Sequence, residues 1–103
     1  MIIGRFLNFF MEIDATDNRI SIIVVALGNV TRINILRFCD DWKSVKEISV
    51  HIGISVASTS IHVDKLVAAK LLEVEKYGRR AKLYKRKHET ISIRFASANN
   101  TRK

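Results

Sequence analysis

Seven lysine and arginine side chains fall within twelve residues near the end of the chain, with no acidic residue among them: Lys76, Arg79, Arg80, Lys82, Lys85, Arg86 and Lys87. Like charges this close repel one another unless a polyanion neutralises them. The phosphates of a nucleic acid form such a polyanion. Each lysine or arginine that binds a phosphate also releases a condensed counterion, which favours binding. A solvated surface is the alternative interpretation, and the charge density favours phosphate binding over it.

The charge of the whole chain is also uneven. The 103 residues carry a formal net charge of +8. Residues 1–42 hold four arginines against five acids, whereas residues 43–103 hold fourteen basic residues against five acids. Such asymmetry indicates association with a polyanion and says nothing about fold. A membrane surface would attract the same charge, so charge alone does not separate the two.

Length and hydropathy predict one small globular domain, since 48% of the residues are hydrophobic. The apolar run from Ile20 to Leu27 is far shorter than the ~20 residues that span a bilayer. The apolar start of the chain lacks the basic leader and small-residue cleavage site of a signal peptide. We therefore expect a cytoplasmic protein with no membrane partner.

Catalytic and metal-binding patterns are missing from the sequence. No Gly-rich phosphate loop or paired-carboxylate motif occurs, and Cys39 is the sole cysteine. His51, His62 and His88 are scattered over different elements, which is not the spacing of a ligand set. We expect no enzyme, no metal and no cofactor. Cys39 is interpreted as a small buried residue, with a redox sensor as the alternative.

Two helical patterns flank Gly53-Ile54-Ser55. Ser44 stands three residues before Glu47, a capping box that predicts a helix from there to about Ile52. Gly53 can adopt the positive φ that ends this helix, and Ser55 can cap the helix that follows. The buried stripe of the first helix is predicted to be Val45, Ile48 and Ile52.

The second helix runs from Ser55 to about Lys70 and leaves small hydroxyl and methyl groups on its outer face. A purely solvated helix would carry Glu, Lys and Gln there, so this face suits close approach to a DNA groove. For His62, contact with a phosphate and packing on the helix flank are both open. Thr59, Val63, Leu66 and Val67 are predicted to face inward. The predicted DNA contacts on this helix are Ser55, Val56, Ala57, Ser58, Ser60, Ile61, His62 and Lys65.

A β-hairpin is predicted after this helix, with its turn at Tyr77–Arg80. Alternation places Leu72, Val74 and Leu83 on one face and Glu73, Glu75 and Lys82 on the other. Tyr77 and Tyr84 are predicted to pack beneath the hairpin. The predicted DNA contacts here are Lys76, Arg79, Arg80 and Lys82. Helix, turn, helix and basic hairpin together predict a winged helix-turn-helix, mainly α with a small antiparallel β-wing.

Residues before this motif predict two more helices. We interpret Ile20–Leu27 as a helix because Gly28-Asn29 is a good helix stop; a buried strand is the alternative. Thr31–Cys39 follows, and its buried stripe is predicted to be Ile33, Leu36 and Cys39, with Arg32 and Arg37 elsewhere. Ile91–Phe95 alternates like an extra strand. The predicted organisation is an N-terminal extension (1–18), the winged domain (19–95) and a flexible tail (96–103).

Apolar residues at the N-terminus predict self-association. A chain this small lacks the core to bury them all, so together with the Ile20–Leu27 helix they form the predicted homodimer surface. Packing against the protein's own core is the alternative. The predicted dimer contacts are Phe6, Phe9, Phe10, Ile22 and Val25.

These motifs resemble the ArsR-type winged-helix transcriptional regulators. Ala26–Leu36 is similar to the pattern A-L-x-x-P-x-R-L-x-I-L, with Val30 where proline is usual. Glu47–Leu66 matches the helix-turn-helix, and Val67–Arg80 the L-x-x-A-G-L-V entry to the wing. The resemblance covers about residues 24–87. It implies a homodimer that binds operator DNA and usually represses.

One departure concerns the metal-sensing members of that family. In those members, the first helix of the helix-turn-helix carries cysteines at the positions of Ser44 and Lys46 in this sequence. No metal effector is therefore implied, and the effector is unknown.

A protein-binding winged-helix subunit is the competing function, and general RNA or nucleic-acid binding is a third.

Overall fold

The computed structural model describes residues 9–79 and 81–95. In chain order the elements are β1 (Phe10–Asp14), α1 (Ile20–Leu27), α2 (Val30–Phe38), α3 (Val45–Ile52), α4 (Val56–Ala68), β2 (Leu72–Tyr77), β3 (Ala81–Arg86) and β4 (Thr90–Arg94). Helices followed by an antiparallel hairpin confirm the predicted fold class. The predictions for Phe6, Arg80 and the tail from residue 96 lie outside the described residues.

The helix predicted at Ile20–Leu27 is confirmed, and α2 follows it at a bend of 88°. Asn29 is the N-cap of α2, since its side chain accepts a hydrogen bond from the backbone N–H of Arg32 at 3.1 Å. Within the described ranges no single helix is long and apolar enough to span a bilayer, and α1 and α2 meet that test only jointly, as a bent pair.

The buried face of α2 differs from the predicted one. Ile35, Leu36 and Cys39 are buried, Ile33 is only half-buried, and Arg32 is 7% exposed. The prediction that Arg32 lies away from the core is therefore wrong. Hydropathy misplaces it because the guanidinium finds backbone carbonyl acceptors inside the protein, which offsets the cost of burial.

The turn between α3 and α4 forms as predicted. Ser44 and Glu47 make the reciprocal capping box at the start of α3. Gly53 ends that helix with φ of 84°, and the side chain of Ser55 accepts a hydrogen bond from Ser58 N–H at 3.0 Å to open α4. The pair of helices is thus held at both ends of the turn by local interactions.

The end of α4 holds a lysine in the left-handed region. Lys70 has φ of 63°, and its N–H donates to Val67 O while Leu71 N–H donates to Leu66 O, each at 2.9 Å. This is the Schellman arrangement, in which Leu66 and Leu71 also pack together in the core. A lysine in the left-handed region carries backbone strain that glycine would not carry.

The register of the wing corrects the predicted faces of β3. Val74 pairs with Tyr84, and Glu75 with Leu83. Residues paired across an antiparallel ladder share a face, so Leu83 lies opposite the face assigned to it, and Lys82 shares the face of Val74. A shift of one residue reverses every side chain. Tyr84 is the buried residue of β3, and its backbone also pairs with Lys43.

A second, parallel sheet joins the two ends of the described chain. β1 pairs with β4 from Phe10↔Thr90 to Asp14↔Arg94, and Ile13 is buried. The strand predicted at Ile91–Phe95 is confirmed, whereas β1 is not among the predicted elements. Residues 10–14 of the predicted N-terminal extension therefore pair with a strand of the winged domain.

Candidate nucleic-acid interface

The outer face of α4 presents small and apolar side chains to solvent. Val56 and Ile61 are exposed, the latter by 59%. Ser60 is half-buried on the edge of this face. The remaining predicted contacts Ser55, Ala57, Ser58 and Lys65 are also exposed. The structure thus brings this part of the predicted site together on one side of one helix.

The inner face of α4 fixes that surface to the core. Val63 and Leu66 are fully buried, as is Thr59. The Thr59 hydroxyl donates to the carbonyl oxygen of Ser55 at 2.8 Å, which satisfies it without disturbing the packing. Thr59, Val63 and Leu66 confirm the predicted inward stripe, and Val67 is partly buried against the same core.

His62 lies on the flank of α4 and contacts a buried arginine. Its Nδ1 is 3.1 Å from Arg32 Nη1. A guanidinium only donates hydrogen bonds, so Nδ1 accepts and the proton of the neutral ring is on Nε2. Partial burial and the neighbouring charges of Arg32 and Lys65 lower the pKa of His62 below its ordinary value. The ring is therefore held neutral.

The outer end of the wing carries unpaired cations. Lys76 stands directly across the ladder from Lys82, and both are exposed. Arg79 is exposed beside Gly78, whose φ of 67° makes the turn. Within residues 9–79 and 81–95 none of these three cations makes a salt bridge. Like charges directly opposite each other destabilise a hairpin, so the Lys76–Lys82 pair costs the wing some stability.

The inner end of the wing uses its cations differently. Arg86 Nη1 donates to the carbonyl oxygen of Leu36 at 2.9 Å, and Nη2 lies 2.9 Å from Glu89 Oε1. Lys85 Nζ lies 5.9 Å from the centre of the Trp42 ring, within cation–π range. These contacts attach β3 to the end of α2 and to the turn after it. The structure thus divides the basic run predicted from sequence into an exposed and an internally bound part.

The two tyrosines of the wing have different environments. Tyr84 is buried, as predicted, and burial raises the pKa of its phenol, with Asp64 adding to the effect. Tyr77 is 49% exposed, so the prediction that it packs beneath the wing is wrong. Its hydroxyl donates to Glu75, which raises its pKa. Tyr77 is exposed and Tyr84 is buried because Tyr77 lies near the turn of the wing, away from the helices.

Cys39 is buried, and burial raises the pKa of its thiol to about 11. A thiol with this pKa is protonated at neutral pH, which is the inert form. This environment supports the structural interpretation of Cys39. No cluster of His, Cys, Asp or Glu suited to a metal ion occurs in the described part of the chain.

The predicted dimer residues are exposed wherever they are described. Ile22 and Val25 project from α1 and are 54% and 64% exposed, and Phe9 and Phe10 are each about half exposed. Ile22 and Val25 also line a shallow, mainly apolar groove with Lys65 and Ala68 of α4. The apolar surface of α1 thus continues onto α4, the helix that carries the candidate DNA contacts, and Lys65 belongs to both regions.

No family model and no curated protein matches the sequence. The fold is similar to that of a homodimeric winged helix-turn-helix DNA-binding domain of Mb0332 from Mycobacterium bovis, a possible ArsR-family transcriptional regulator, with a TM-score of 0.63 and 21% identity over 67% of this chain. The match spans 64% of that domain, slightly under two thirds.

Two further solved structures show the same similarity. HlyU from Vibrio cholerae has a TM-score of 0.60 and 24% identity over 68% of this chain and 74% of its own. NolR from Sinorhizobium fredii has a TM-score of 0.60 and 21% identity over 67% and 69% of the two chains. The chain therefore has the winged helix-turn-helix fold that its sequence predicts.

Proposed function

We propose that the protein is a homodimeric transcriptional regulator that binds double-stranded DNA with a sequence preference, most simply as a repressor. One observation carries the proposal: the small, exposed face of α4 occurs together with a wing whose outer cations have no internal partner. The similar solved structures include the homodimeric DNA-binding domain of a possible ArsR-family transcriptional regulator, which supports the same function.

The recognition helix, α4 with its cap Ser55, would enter the major groove. The methyl groups of Val56, Ala57 and Ile61 suit the C5-methyl of thymine, and the hydroxyls of Ser58 and Ser60 suit base edges or phosphates. Since none of these side chains makes a bidentate contact, sequence discrimination is weak and favours A·T-rich sites. Lys65 would bind a phosphate.

The wing would supply much of the affinity. Lys76, Arg79, Arg80 and Lys82 would contact the DNA backbone or enter the adjacent minor groove. If the dimer neutralises ~6–10 phosphates, its affinity should fall by ~10³–10⁵ between 50 and 200 mM salt.

The homodimer would form through α1 and the N-terminal segment. Ile22 and Val25 leave apolar surface in solvent on a helix without a charged residue, and helices that are apolar all round are normally covered. Phe6, Phe9 and Phe10 would extend the same surface. Two recognition helices about 34–36 Å apart would then read an imperfect palindrome with half-sites ~10 base pairs apart.

Selection of bound fragments from random duplexes, followed by titration at several salt concentrations, tests this function. We expect an A·T-rich palindrome and a steep salt dependence. Replacing Arg79 and Arg80 by alanine should weaken binding to every duplex and reduce the salt slope by about one unit per lost contact. Ser60→Ala should instead change the preference among sequences.

The matched control for the wing variant is Arg37→Ala, because Arg37 is exposed but lies on α2. It should bind DNA like the wild type. Failure to bind any duplex would refute the proposal and favour a protein-interaction subunit. Equal binding to duplex and RNA, without a palindrome, would favour general nucleic-acid binding instead.

A further inference from the structure

Arg32 connects the helix that carries the candidate dimer surface to the helix that carries the candidate DNA contacts. Its guanidinium donates to Ala26 O at 2.8 Å and to Val25 O at 3.0 Å, both at the end of α1. The remaining nitrogen, Nη1, lies 3.1 Å from His62 Nδ1 on α4. One buried side chain therefore makes contacts with α1 and α4 at once.

The geometry of this cluster requires a neutral histidine. The two carbonyl oxygens take the Nε and Nη2 donors, so His62 is the acceptor for Nη1. Protonation of Nδ1 would remove that acceptor and place two cations about one hydrogen-bond length apart. Because Arg32 is held by the end of α1, repulsion would act on the position of α4.

Charges around the His62 ring do not compensate for a proton. Arg32 on α2 and Lys65 on α4 are the charged groups that shift its pKa, and both lower it. α1 contains no charged residue. Within the described chain, no carboxylate of α3 or β2 is among the groups that act on the ring. Acidification would therefore oppose the contact rather than reinforce it.

We propose that the Arg32–His62 contact is a proton-sensitive latch that holds the recognition helix in its DNA-binding position, and that protonation of His62 releases it. The proposal rests on the DNA-binding function proposed above. It makes Arg32 a positioning residue that touches no DNA, and it gives His62 a role different from phosphate contact.

The sign of the pH effect follows from the lowered pKa of His62. Above the ordinary histidine pKa the ring is neutral in folded and unfolded chains alike, and the contact is intact. As the pH falls below ~6.5, the unfolded chain takes up the proton more readily than the latched protein. The stability that the contact contributes is thus present at neutral pH and lost on acidification.

The test of the latch is DNA affinity, measured by fluorescence anisotropy on a selected duplex. It compares three proteins: the wild type, His62→Gln and His51→Gln. The pH is lowered from 7.5 to 5.5 at fixed ionic strength. The glutamine amide oxygen of His62→Gln can accept from Arg32 but does not titrate. His51 stacks on Phe38 with ring centroids 4.0 Å apart, away from Arg32, so its variant controls for general histidine protonation.

We expect the affinity of the wild type to fall several-fold relative to His62→Gln over this range, because protonation of His62 favours the released state. His51→Gln should follow the wild type. Ring ¹⁵N spectra of the free protein at pH 7.5 should show His62 Nδ1 unprotonated.

Two results would overturn the latch while leaving DNA binding established. One is an equal pH profile for the wild type and His62→Gln. The other is an affinity that rises on acidification in the wild type alone, since that is the sign of a protonated His62 on a phosphate. If the wild type binds no duplex at any pH, the proposed function fails and the latch fails with it.

Discussion

The helical body and the outer wing use their basic side chains in opposite ways. In the body, Arg32 is buried, and its donors are matched to two carbonyl oxygens and a histidine. Arg86, at the base of the wing, is bound in a similar manner to the end of α2. At the tip, Lys76 and Lys82 oppose each other in solvent. Positive charge therefore stabilises the fold in one region and opposes it in the other.

The difference shows that a count of basic residues does not delimit a DNA-binding surface. Arg86 belongs to the basic run by sequence, yet its guanidinium is committed to Leu36 O and Glu89. Cations that lack internal acceptors are the ones available to phosphates. Substitutions of internally bound cations, compared with substitutions of exposed cations, test this distinction directly.

The largest effect is expected at Arg32. Arg32→Met keeps an apolar stem but leaves the carbonyls of Val25 and Ala26 and the ring of His62 without their donor. We expect the free energy of unfolding to fall by about 3 kcal/mol, measured by urea denaturation. Arg37→Met on the exposed side of the same helix is the control and should stay within about 0.5 kcal/mol of the wild type. Equal effects would remove the distinction.

Arg86→Met should have the next largest effect. The side chain is 21% exposed and makes a charge-assisted hydrogen bond to the end of α2, so its loss should cost about 2 kcal/mol. Lys82→Met on the same strand is the matched control, with little change in stability expected. For DNA affinity the order should reverse, with Lys82→Met the more harmful when both are compared under conditions where each protein is folded.

The two positive-φ turns around α4 should respond in opposite directions. Lys70→Gly relieves the left-handed strain and should stabilise the protein by about 1 kcal/mol, whereas Gly53→Ala introduces the same strain and should cost about 1 kcal/mol. A Cβ at Gly53 meets nothing within 4 Å, so strain and not a clash would be measured. Thermal unfolding of both variants would disprove this account if Lys70→Gly lowered the midpoint.

The smallest change in stability is expected at the tip of the wing, and it has the opposite sign to its effect on binding. Lys82→Glu converts the Lys76–Lys82 pair into an ion pair and should stabilise the hairpin by about 0.2–1 kcal/mol. DNA affinity should nevertheless fall, because a phosphate contact is replaced by a repulsive charge. Lys82→Gln removes the charge alone and should give intermediate values of both. Tighter DNA binding by the Lys82→Glu variant would contradict the proposed role of the tip.

Local features of the sequence are sufficient to predict the helix-turn-helix. The capping box of Ser44 and Glu47, the positive φ at Gly53 and the cap at Ser55 all depend on residues within one turn of each other. The exposed face of α4 follows from periodicity, because Thr59, Val63 and Leu66 share one side of a helix. These predictions require only the helix repeat and the preferences of single residues.

Partners distant in sequence account for the features that the pattern misses or misplaces. Hydropathy puts Arg32 outside the core because its acceptors on α1 and its contact with His62, thirty residues away, exist only after the helices pack. Leu83 and Lys82 lie on the faces opposite to those predicted because the register is set by Tyr84, which packs in the core and pairs with Lys43. β1 escapes prediction because its partner β4 lies at the other end of the chain.

The order of residues is enough to establish where helices begin and end, which face of α4 stays in water, and that the second half of the chain is strongly basic. Which cations remain free for an anion is settled by the packing of the folded chain. Local structure depends on neighbours a few residues apart. Whether a cation is bound inside the protein depends on the acceptors that folding brings within about 3 Å of it. In this protein those acceptors are the carbonyl ends of α1 and α2, and they hold Arg32 in the interior and the partly exposed Arg86 against α2.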